Sequence, residues 1–124
     1  MPRSVDTEHG ALDSLRVRLA AFAAVRDWDQ FHSPKNLAMA LIAECGELVE
    51  HFQWLSESQS KQLSSEKHRA VAEELADILI YLLRIADKLD IDLVAAAHEK
   101  VTRNESRYPI AKVRGDARRA DEYD

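Results

Sequence analysis

The stretch VAEELADILIYLLRIADKL, residues 71–89, carries a helical apolar period over its whole length. Helical residues advance about 100° each. At that step Val71, Leu75, Ile78, Leu82, Ile85 and Leu89 share one apolar arc, with Glu74, Asp77 and Tyr81 alongside it. Residues 36–55, NLAMALIAECGELVEHFQWL, repeat the design. Here Leu37, Leu41, Cys45, Leu48, Phe52 and Leu55 form the arc, and Glu44 and Glu47 stand at its edge. Two such helices bury their arcs by packing against each other.

That packing brings two acidic pairs together, Glu44-x-x-Glu47 and Glu74-x-x-Asp77. An i, i+3 pair projects from one helix face. Four clustered carboxylates repel and raise one another's pKa unless a cation neutralises them. An all-oxygen ligand set suits a hard cation, Mg²⁺ or Mn²⁺. With 22 Asp and Glu in 124 residues, acidic i, i+3 pairs also recur by chance, and Glu50, Glu57, Glu66 and Glu73 read as solvated-face residues. The weight therefore falls on the matched placement of the two pairs, because a carboxylate beside a core stripe is costly unless paired or metal-bound.

As a whole the chain reads as one all-α domain. It has 3 Gly and 3 Pro, 46% hydrophobic and 31% charged residues, and no β-branched alternation. Helix one is expected over Ala11–Trp28, with Leu12, Leu15, Leu19, Phe22 and either Val25 or Ala23 facing the core. Ser33-Pro34 supplies an N-cap and a first-turn proline for helix two, expected to reach Leu55. The polar run Ser56–Ser65 reads as a loop whose final serines cap helix three, to Leu89. Asp92 caps helix four, and Pro109 stops it after Arg107. Residues 1–109 form the domain, and residues 110–124 read as a mobile charged tail. No run approaches the ~18 apolar residues of a membrane span, and no signal-peptide core is present, so a cytoplasmic location is expected. A net charge of −5 argues against a nucleic acid polymer as partner. The single cysteine, Cys45, falls on the apolar arc and reads as a buried structural thiol.

Other residues frame a ligand. Trp28 closes helix one and Trp54 stands on the carboxylate side of helix two. Each alone reads as a hydrophobic helix end, and together they suggest a stacking slot for a nucleobase. Lys100, Asn104 and Arg107 make one stripe of donors on helix four, either a solvated face or a clamp on phosphate oxygens. His51 shares the flank of Glu44 and Glu47, but no helical Glu is followed three residues later by His, which disfavours a di-iron bundle. His51 reads instead as a neighbour able to reach a phosphate.

Taken in order, the motifs Arg26-Asp-Trp-Asp-Gln-Phe-His32, Pro34-Lys-Asn36, Glu44-Cys-Gly-Glu47, Phe52-Gln-Trp54, Glu73-Glu-Leu-Ala-Asp77-Ile-Leu-Ile-Tyr81 and Lys100 through Asn104 to Arg107-Tyr-Pro109 span most of the chain. They resemble the all-α nucleoside triphosphate pyrophosphohydrolases, the MazG-like proteins, and most closely their dCTP pyrophosphatase branch. The resemblance implies a four-helix bundle, Mg²⁺ on Glu44, Glu47, Glu74 and Asp77, and nucleotide contacts from Trp28, Trp54, Tyr81, Lys100 and Asn104. Leu79, Leu83, Ile42 and Val49 widen the apolar arcs beyond a single seam, so a homodimer at least is expected, and the resemblance implies a tetramer of two dimers with nucleotide sites near subunit contacts. One departure stands out. Some cytidine-preferring relatives have histidine on helix one where this chain has Leu19, which makes His32 a substitute candidate.

The leading expectation is Mg²⁺-dependent cleavage of a deoxynucleoside triphosphate, dCTP-like by preference, to its monophosphate and pyrophosphate. Glu44 or Glu47 would orient or deprotonate the attacking water. Two alternatives stay open on sequence alone: a broader or damaged-nucleotide substrate range, and a non-catalytic helical module whose stripes serve only oligomerisation.

Overall fold

Over the residues described by the computed structural model, 4–118 and Glu122, every regular element is a helix. The elements are α1 (Ser4–Val25), a single 3-10 turn (Asp29–Phe31), α2 (Pro34–Glu50), α3 (Glu57–Ser60), α4 (Ser65–Lys88), α5 (Leu93–Arg107) and α6 (Ile110–Val113). The four long helices stand in the expected order, but α1 starts at Ser4 rather than Ala11 and ends at Val25, and α2 ends at Glu50 rather than Leu55. Three single turns are added, Asp29–Phe31, α3 and α6, the last within the stretch expected as a tail. None of the described helices is long and apolar enough to cross a membrane.

Short polar side chains start the helices by satisfying amides that have no intrahelical partner. Ser33 Oγ accepts from the Asn36 N–H at 3.1 Å, with Pro34 in the first turn of α2. Ser64 Oγ accepts from Lys67 N–H at 3.1 Å, and Asp92 Oδ1 from Ala95 N–H at 3.0 Å. The expected loop at 56–65 contains α3, because Ser56 and Gln59 form a reciprocal capping box that closes one turn without apolar anchoring.

Aspartates end α1 and α4. Asp27 and Asp90 both adopt φ of 55°, the left-handed conformation usually given to glycine or asparagine. Around Asp27, Trp28 N–H reaches back to Ala23 O at 2.9 Å and Asp27 N–H to Ala24 O at 3.1 Å. Around Asp90, Ile91 N–H bonds Ala86 O at 2.8 Å and Asp90 N–H bonds Asp87 O at 3.2 Å. These are Schellman closures, and the first turns the chain so that Trp28 and the following 3-10 turn leave the α1 axis.

The chain divides after Ile91 into two compact units, α1–α4 in the first and α5–α6 in the second. In the first unit α4 packs chiefly on α2 and also on α1. Its core contains Ala23, Leu37, Val71, Leu83 and Ala86. Ala23 rather than Val25 takes the inward position on α1. The α2 arc is as expected, but on α4 the buried set is shifted: Leu83 and Ala86 are buried, while Leu75, Leu82 and Leu89 are exposed within this chain. A helix covered by two neighbours turns a broader and differently centred face inward than a single seam requires.

Candidate metal centre and adjoining cleft

Packing α2 against α4 sets Glu44 opposite Glu74 and Asp77. Each offers a carboxylate oxygen, and these oxygens lie within 4.8 Å of one another. Glu47, exposed on α2, completes the group through side-chain contact with both Glu44 and Glu74. Three of the four acids picked out in the sequence, Glu44, Glu74 and Asp77, therefore converge, with Glu47 beside them. Oε2 of Glu44 and Oε2 of Glu74 are buried and receive no hydrogen bond from any described residue.

The electrostatics follow from that crowding. Loss of solvent, then the neighbouring carboxyls of Glu47 and Glu74, push the Glu44 pKa up to about 7. Glu74 is raised as well, first by loss of solvent and next by Glu47. Buried anionic oxygens that lack donors fit a cation, and an oxygen-only set fits a hard divalent one. The described residues thus pass the chemical test for a metal site.

Asp77 also borders a cleft of ≈ 410 Å³ between α1 and α4. That size suits a small organic ligand. Leu15, Arg18, Leu19, Phe22 and Ala23 line it from α1, Trp28 and His32 from the connecting segment, and Asp77, Ile80, Tyr81 and Arg84 from α4. Phe22 and Trp28 meet edge to face, with ring centroids 5.6 Å apart, and the His32 ring lies 6.3 Å from that of Trp28. Hence Trp28, His32 and Tyr81, all expected ligand contacts, share one cavity that opens onto the acidic cluster through Asp77.

Other expected contacts lie elsewhere. Trp54 sits in the turn after α2, is 86% exposed and does not line this cleft. Lys100, Asn104 and Arg107 are on α5 in the second unit, Asn104 half-buried and the other two exposed. Arg107 lies over the Tyr108 ring at 5.7 Å. His51 caps the C-terminus of α2 and is half-buried.

Sequence reading missed Arg84 and Asp29. Arg84 is buried, and its Nη2 donates to Asp29 Oδ1 at 2.8 Å while Nη1 reaches Asp87 Oδ2 at 3.4 Å. Lys88 Nζ also donates to Asp29 Oδ1 at 2.9 Å, and Arg16 Nη1 to Asp87 Oδ1 at 3.0 Å. Lys88 first, then Arg84, holds the Asp29 carboxyl below its ordinary range. The available signal was a lone arginine interrupting the apolar run from Ile78 to Ile85.

The model of the MazG-like family matches residues 40–122. Among similar proteins, dCTP pyrophosphatase 1 of Rattus norvegicus is 46% identical over 108 residues, covering 86% of this chain and 64% of the relative. The Homo sapiens protein of the same name is 42% identical over 110 residues, covering 87% and 65%. The chain thus spans just under two thirds of the length of these relatives. A crystal structure of a pyrophosphatase from Archaeoglobus fulgidus superposes with a TM-score of 0.76 at 37% identity, covering 80% of this chain and 93% of that one.

Proposed function

The chain belongs to the MazG-like family, and from that premise we propose that it hydrolyses a deoxynucleoside triphosphate, dCTP-like by preference, to the monophosphate and pyrophosphate. The observation that carries this reading is the acidic cluster of Glu44, Glu74 and Asp77, with two donorless buried oxygens, opening through Asp77 onto an aromatic cleft. The dCTP pyrophosphatase relatives support the substrate class.

Glu44, Glu47, Glu74 and Asp77 would hold Mg²⁺, with Mn²⁺ as a substitute. When bound, such an ion neutralises triphosphate charge and acidifies nearby water. Trp28 stacks on the base, and stacking of this kind is worth ~1–3 kcal/mol. Tyr81 and His32 border the same space and orient the nucleoside. Glu44 or Glu47 takes the proton from a water whose oxygen bonds to the α-phosphorus as the bond to the pyrophosphate oxygen breaks. Lys100, Asn104 and Arg107 on α5, with Trp54, are further nucleotide contacts in this reading. The catalytic region is residues 1–109, residues 110–124 being dispensable, and the enzyme works in the cytoplasm as a homodimer or homotetramer.

A pyrophosphate-release panel over the common nucleoside triphosphates, with Mg²⁺ and with EDTA, tests the proposal. Metal-dependent release, greatest with dCTP, is expected. Absence of release from every nucleotide would overturn it, and equal rates across bases would point to the broader substrate range.

A further inference from the structure

His32 borders the cleft with Nδ1 3.2 Å from Arg84 Nη2. A guanidinium offers five N–H donors and no acceptor. The contact is therefore a hydrogen bond only when Nδ1 carries the lone pair, which puts the proton of the neutral ring on Nε2. Arg84 is itself immobilised, its side chain 5% exposed and tied to Asp29 and Asp87. One cost of that burial is visible: Arg84 Nε has no acceptor among the described residues. Burial, then the charge of Arg84, lowers the His32 pKa against the opposing pull of Asp29, and Lys88 adds to the lowering. These influences favour the neutral ring.

We propose that Arg84 is a positioning residue that locks His32 as a one-way Nε2–H donor, and that this donor reads an acceptor on the nucleobase edge. The inference rests on the nucleotide-hydrolase reading above. On the α1 side of the cleft, Leu15, Leu19 and Phe22 are apolar and Arg18 can only donate, while Trp28 beside His32 supplies a stacking face. An unrestrained imidazole can donate or accept at either nitrogen and so tolerates either kind of edge. A locked Nε2–H complements the N3 acceptor of cytosine and opposes the N3–H of thymine or uracil; the O2 acceptor, common to all three bases, does not discriminate. Leaving a donor facing a donor at a desolvated site weakens the wrong complex by about 10-fold or more.

The test combines a spectrum with a ratio. In ¹⁵N-histidine-labelled protein without nucleotide, the His32 ring, assigned by its loss in His32→Gln, is expected to show protonated Nε2 and bare Nδ1. Arg84→Met is expected to give mixed tautomers and to lower the dCTP-over-dTTP ratio of kcat/KM by about 10-fold or more. Arg84→Lys should recover part of that ratio. Arg84→Met leaves Asp29 with Lys88 and Asp87 with Arg16, so neither acid is orphaned. If Arg84→Met fails to fold, the wild-type spectrum and Arg84→Lys decide the matter. Protonated Nδ1 in the wild type, or an unchanged tautomer and ratio in Arg84→Met, overturns the proposal while leaving the hydrolase reading intact. An Nε2–H ring in a protein that hydrolyses no nucleotide overturns the hydrolase reading and, with it, the base-reading role.

Discussion

Glu44 on α2 and Glu74 on α4 each bury one carboxylate oxygen, and neither oxygen receives a hydrogen bond from a described residue. Each helix has bent its own packing rule at the same level of the seam. A core built only for stability would place apolar side chains there, because donorless buried carboxylates are destabilising.

Cation binding should relieve that cost. A ligand at 100 times its dissociation constant stabilises by ~2.7 kcal/mol, which is roughly 10 °C in melting temperature for a chain of this size. Saturating Mg²⁺ should therefore raise the melting temperature by about that amount relative to EDTA. Glu74→Gln and Asp77→Asn should keep their helical circular dichroism, lose most of the shift, and lose hydrolysis. An undiminished Mg²⁺ shift in both variants would remove these residues from the site.

The metal-free protein should also respond to pH in a definite direction. Glu44 titrates near 7 when folded against an ordinary 4.5, so the folded state binds more protons inside that window. Stability then falls as pH rises from about 4.5 to 7 and is flat above it. Glu74 adds in the same sense. His32, lowered from 6.5, opposes both, because its neutral folded form gains stability as pH rises toward 6.5. Urea denaturation in EDTA at a series of pH values should show a negative slope that Glu44→Gln makes shallower. An identical slope in the variant would dissociate the titration from Glu44.

Much of this arrangement was legible in the chain, and the exceptions have physical causes. Leu37 is buried and Leu41, Cys45 and Leu48 on α2, with Phe52 in the turn after it, are half-buried on the same side, since that helix has one principal neighbour and a single stripe to bury. On α4 the periodicity was ambiguous, because Leu79 and Leu83 widen the arc and either Leu82 or Leu83 can lead it inward. Only the packing of α1 as well as α2 selects Leu83. The carboxylate cluster was readable because i, i+3 spacing survives a modest rotation of either helix. Arg84 was not, since its partners Asp29 and His32 lie 55 and 52 residues away and no local pattern marks them.

Trp28 and Trp54 should separate ligand stacking from folding. Losing a stacking contact of ~1–3 kcal/mol corresponds to roughly 5- to 150-fold in affinity. Trp28→Ala should raise KM for dCTP within that range, with some loss of stability from its edge contact with Phe22. Trp54→Ala should raise KM without moving the melting temperature, because its indole is almost wholly exposed in the single chain. Unchanged KM values would withdraw the corresponding tryptophan from the site.

Met39, Ile42 and Val49 project from α2 with most of their surface in water, Ile42 at 68%. At ~100° per residue they fall on one strip, well away from the Leu37–Leu41–Leu48 face that meets α4. On α4, Leu75, Leu82 and Leu89 recur every seven residues and are likewise exposed, Leu75 at 53%. Single exposed apolar residues are ordinary, but two aligned strips on long helices are a poor surface for a monomer. A second copy of the chain would provide matching strips. Light scattering at micromolar concentration should return at least twice the 14.1 kDa chain mass. Ile42→Glu should shift the particle toward the single-chain mass without loss of helical content, because Ile42 takes little part in the core of its own chain. A wild-type mass near 14.1 kDa, or an oligomer indifferent to Ile42→Glu, would place the interface elsewhere or abolish it.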